Sequence, residues 1–79
     1  MAKKKNGKSE TLTGVVTPVQ WDGDQVTEVA LFATDDEEYH IQNSHKFFDL
    51  VQESIEATGS VQRTKKSFRT INIKKYRIL

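Results

Sequence analysis

Apolar and polar residues alternate along most of this chain, and the breaks in that alternation divide it into six pieces. Thr11 to Trp21 is rich in Thr and Val, residues that fit a pleated, half-buried surface, and predicts strand one. Asp22-Gly23-Asp24 follows. An Asp-Gly pair supplies the positive φ of a tight hairpin, so Gln25 to Thr34 is expected to fold back as strand two. Pro18 has no amide proton and must lie at an edge or a bulge of strand one. The acidic run Asp35-Asp36-Glu37-Glu38 makes the next turn, and Tyr39 to Gln42 reads as a short strand three.

Asn43 and Ser44 are both good helix N-caps, and a short amphipathic helix is expected from there. Phe47, Leu50, Val51 and Ser54 fall at the spacing of one helical face, while Asp49, Gln52 and Glu53 point elsewhere. Ile55, Ala57, Gly59 and Val61 then occupy every second position, which marks strand four, although Ile55 also fits as the last apolar residue of the helix. Strand five runs from Phe68 to Leu79. Its apolar side switches between Ile71/Ile73 and Tyr76/Ile78, and a β-bulge at Lys74-Lys75 would bring all four inward. Thr13-Gly14-Val15-Val16 echoes Thr58-Gly59-Ser60-Val61. Glycine within a strand marks curvature or close backbone approach, which suits two neighbouring strands of a tightly bent sheet.

Three strands, one short helix and two more strands resemble an OB-fold, a five-stranded Greek-key barrel with its helix between strands three and four. The expected class is therefore all-β with one short helix. Thr13-Gly14-x-Val16, Trp21-Asp22, Val29-Ala30-Leu31, Tyr39-x-Ile41, Glu56-Ala57-Thr58-Gly59-x-Val61 and Ile71-x-Ile73-Lys74-x-Tyr76 are similar to the small stand-alone bacterial OB-fold proteins of uncharacterised function. The resemblance covers residues 11 to 78 and implies a fold more than an activity.

At 79 residues without cysteine, one small domain is expected, over 10–79, with no disulfide framework or thiolate zinc site. Residues 1–9 carry four lysines and no long apolar run, so a disordered basic tail and a cytoplasmic location are expected, without membrane insertion. The initial methionine points to an intact small protein. The net charge of +1 conceals an asymmetry: residues 10 to 56 carry all 11 acids and only Lys46, whereas 57 to 79 carry seven basic residues and no acid. Such a chain either builds a bipolar surface or neutralises itself by pairing acidic with basic strands.

Little of this points to catalysis. His40 and His45 lie on different predicted elements with no cysteine to complete a metal site. The acidic run lacks the alternating ligands and central glycine of a calcium loop. Ser44 beside His45 has no nucleophile elbow, and there is no phosphate-cradling glycine loop. A non-enzymatic monomer without cofactor is expected.

Binding is the stronger expectation, since ligands of OB barrels lie across strands two and three between the first and fourth loops. With Val29 and Leu31 inward, Ala30, Phe32, His40 and Gln42 line the outer face. In the opposite register Phe32 is core. The candidate nucleic-acid-binding residues are Trp21, Phe32, His40 and Phe68 for stacking, with Arg63, Lys65, Lys66 and Arg69 for phosphates. Single-stranded DNA or RNA is the leading ligand. The alternatives are a basic protein partner on the acidic side, Asp35 to Glu38 with Asp49 and Glu53, and a small ligand or oligosaccharide on the same face.

Overall fold

The computed structural model describes residues 8–64 and 68–79. Its five strands are β1 (Lys8–Asp22), β2 (Gln25–Ala33), β3 (Glu38–Ile41), β4 (Ser54–Arg63) and β5 (Arg69–Ile78). They form a closed barrel in the order β1-β2-β3-β5-β4, with β4 returning to β1. Every neighbouring pair is antiparallel except β3 with β5. β1 is long enough to serve two partners, pairing β4 through its first half and β2 through its second. Lys8 and Ser9, expected in the tail, are therefore strand residues opposite Val61 and Ser60. Positions 1–7, the rest of that expected tail, lie outside the described residues.

The core is built from alternate residues on all five strands. Ile55, Ala57, Gly59 and Val61 of β4 are buried in strict alternation, as their pattern predicts. Val29, Leu31 and Ala33 of β2, Tyr39 and Ile41 of β3, and Ile71 and Ile73 of β5 complete the interior with Val16. A Cβ on Gly14 would collide with the backbone of Phe32 and Ala33, and one on Gly59 with the backbone of Asn72 and Ile73. Both echoed glycines thus mark close approach of adjacent strands.

The turns and bulges follow local chemistry. Asp22 pairs with Gln25 across a two-residue hairpin, and Gly23 at its first central position has φ +62°. Pro18 flanks a bulge at Val19 and lies beyond the stretch of β1 that pairs with β4. On β5 the bulge falls at Lys74, because Ile73 faces Gly59 and Lys75 faces Thr58. Tyr76 and Ile78 then pair with the buried Ala57 and Ile55 and share their face. They reach the inner side as expected but are not enclosed there, remaining 45% and 53% exposed.

The expected helix is instead two single 3-10 turns, Ser44–Lys46 and Phe48–Leu50. Phe47 between them has φ −126°, outside helical geometry. A segment this short gains little from α-helical propagation, and its inward anchors Ser44, Phe47 and Leu50 recur every third residue, the 3-10 repeat. Nor does Asn43 or Ser44 cap a helix. Asn43 donates through Nδ2 to the Ile73 carbonyl (2.7 Å) and accepts from the Ile73 amide (3.1 Å), continuing the β3–β5 pairing where the backbone has turned away. Ser44, buried, accepts from the Val29 amide (3.2 Å) and donates to the Ile41 carbonyl (2.6 Å).

Candidate functional site

The register of β2 decides the character of the outer face. Val29 and Leu31 point inward, so Phe32 stands outside, 46% exposed, and Ala30 lies on the outer side beneath its neighbours. Phe32 pairs with Glu38 and Ala30 with His40, which places both β3 side chains on this face. The chain entering β5 folds Phe68 onto His40, with ring centroids 4.9 Å apart. Phe68 is held there by its amide, which donates to Thr64 Oγ1 at 3.2 Å, while its carbonyl accepts from the Thr64 amide.

Two adjoining hollows result. One is lined by Phe32, His40 and Phe68 with Asp36, Glu37, Glu38 and Arg69. The other shares His40 and Phe68 and continues over Gln42, Thr70, Glu28 and Phe48. Thr70 Oγ1, opposite His40 in the pairing register, is the single buried side-chain polar atom among the described residues without a hydrogen-bond partner. Threonine in a strand is too common for its pattern to have singled it out.

The basic residues are arranged otherwise than as a free phosphate cluster. Arg63 donates from both terminal nitrogens to Glu10 at 2.8 and 3.0 Å, and from Nη2 to the Tyr39 hydroxyl at 3.2 Å. Hydrogen bonding to Glu10 and then to Tyr39 raises its pKa, so the guanidinium is firmly charged. Tyr39, buried under the barrel end, donates its own hydroxyl hydrogen bond to Asp35 Oδ2 at 2.8 Å. Burial and the bond to Asp35 push the Tyr39 hydroxyl up in pKa, against the pull of Arg63. Burial works to raise the Asp35 carboxyl too, but the Tyr39 hydroxyl and the Glu37 amide outweigh it and hold the group below its usual range. Arg69 pairs with Glu37 at 3.0 Å.

Of the candidate residues, Phe32, His40, Phe68 and Arg69 are therefore brought together. Arg63 joins the polar closure of the barrel end, bonded to an acid 53 positions away. Trp21, 55% exposed, pairs with Val26 at the β1–β2 hairpin and lines neither hollow. Lys65 and Lys66 lie outside the described residues. The acids Asp36, Glu37 and Glu38 line the aromatic hollow itself, as four acids in the turn before strand three lead one to expect of that groove.

Among the described residues no cluster of metal-ligating side chains occurs, and no helix is long and apolar enough to cross a membrane. Neither protein-family models, nor curated proteins, nor solved structures yield a match to this chain.

Proposed function

We propose that this barrel is an OB-fold of the small bacterial type and a non-catalytic binding domain, with single-stranded nucleic acid lying across β2 and β3. The strand order, with β3 parallel to β5, supports the fold. The observation that carries the ligand is the aromatic surface of Phe32, His40 and Phe68, open to solvent on the face where such barrels bind chains. Bases stack on rings without sequence preference, each contributing about 1–3 kcal/mol. Phosphate neutralisation falls to Arg63, Lys65, Lys66 and Arg69. Arg69 lines the aromatic hollow, and Arg63, Lys65 and Lys66 precede it in the sequence.

One observation favours a second reading. Asp36, Glu37 and Glu38 share the hollow with Phe32 and Phe68, and rings beside carboxylates suit a cationic side chain of a basic protein. Titration of labelled protein with a mixed-sequence single-stranded DNA, its RNA counterpart and an Arg-rich peptide separates the two. Amide shifts on Phe32, His40 and Phe68 with oligonucleotide at physiological salt, lost in Phe32→Ala, are the expected result. Shifts with the peptide alone transfer the face to a basic protein, and an unmoved face with all three ends both readings.

A further inference from the structure

β5 has a neighbour on both sides only in its first half. On the β3 side, the Gln42 amide donates to the Ile71 carbonyl and Asn43 bonds both backbone groups of Ile73. Beyond the Lys74 bulge no hydrogen bond among the described residues continues this row, because the chain after β3 turns away and its two 3-10 turns pack chiefly against β2. Lys74 to Ile78 are accordingly all exposed.

The direction of the backbone groups follows from the ladder. The Leu79 amide donates to the Ser54 carbonyl, and antiparallel pairs alternate between bonded and non-bonded positions. Arg77 and Lys75 thus bond toward β4, while Tyr76 and Ile78 aim their N–H and C=O groups at the open side. The same two residues expose their side chains on the inner-phase face, and Lys75 and Arg77 project on the opposite face. Arg77 leans on Glu56 at 2.9 Å, yet its side chain remains 71% exposed. A shallow hollow lined by Lys75, Tyr76 and Arg77 with Glu56 and Thr58 lies along this stretch.

We infer that the second half of β5 is a docking edge, at which an extended acidic segment of a partner protein adds as a further strand. Edge addition draws affinity from main-chain hydrogen bonds and selectivity from alternate side chains. Here apolar residues on one face of the incoming segment meet Tyr76 and Ile78, and carboxylates on the other meet Lys75 and Arg77. The same charges oppose pairing of two copies, since like charges directly opposite each other are unfavourable. This edge is separate from the aromatic face of β2 and β3.

The probe is a synthetic peptide alternating valine with glutamate, titrated into the labelled full chain, with a valine–lysine peptide as its counterpart. The expected result is saturable shifts of the Lys74 to Leu79 amides with the glutamate peptide only, and slowed hydrogen exchange at Tyr76 and Ile78. Lys75→Glu with Arg77→Glu should weaken that peptide by about tenfold or more and favour the lysine peptide. Ile78→Pro removes an edge donor that β4 does not use and should abolish binding while leaving the folded spectrum. Equal binding of both peptides, no movement of these amides, or concentration-dependent shifts without peptide would each overturn the inference, the last in favour of a second copy.

Discussion

At one end of the barrel Phe47 drops into the core with 2% of its surface exposed and an edge-on contact to Tyr76 at 5.2 Å. At the other, Arg63, with 47% of its side chain exposed, bridges Glu10 and Tyr39. The first closure gains from removing apolar surface from water, which is non-directional and is not screened by salt. The second depends on aligned hydrogen bonds and charges half in solvent, where screening leaves each pair little net stability. The barrel is thus anchored at the end of its 3-10 turns. The loops around the candidate face surround the end that tolerates perturbation.

The comparison is broken most severely at the apolar end. Phe47→Ala should lower unfolding free energy by about 3–5 kcal/mol, a large part of what a domain of this size possesses. Urea unfolding should show the loss, and a shift below ~1 kcal/mol would mean the plug is dispensable. Ser44→Ala strips the Val29 amide of its partner inside the same plug and should lose about 1–3 kcal/mol. Rescue by Ser44→Thr would indicate that the hydroxyl, not the volume, matters there.

Effects at the polar end are expected to be smaller and to depend on solution conditions. Arg63→Ala should cost about 1 kcal/mol at low ionic strength and less in high salt, whereas the cost of Phe47→Ala should not shrink as salt rises. Equal salt dependence of the two variants would erase the distinction between the ends. The smallest effect is the pH dependence of Asp35. Its carboxyl is held below the unfolded value, so its contribution is complete above that value and lost as pH falls below about 4. Asp35→Asn should therefore lower stability slightly at neutral pH, leave the acid extreme nearly unchanged, and so flatten the acid limb of a stability-against-pH curve.

Much of the fold was legible because its determinants are local. The Asp22-Gly23 hairpin, the alternation of β4 and the bulge that re-phases β5 each follow from a few consecutive residues. The strand glycines were legible as sites of close approach, though not which backbones approach them. The stretch after β3 misled because three-and-four spacing in eight residues does not distinguish an α-helix from two 3-10 turns. The end points it must join, Ile41 and Ser54, and the inward anchoring of Ser44 and Phe47 decide between them.

The candidate face divides in the same way. Which residues were aromatic and which charged was a property of the chain alone, and so was the acidic middle between basic ends. Whether Phe32 stood inside or outside was not, because a slip of one residue exchanges the two sides of a strand and β2 is apolar in both phases. Nor was the partner of Arg63, since Glu10 becomes its neighbour only when the start of β1 closes against the end of β4. Short-range pattern determines strands and turns, whereas barrel closure decides which side chains are tied together and which remain open to a ligand.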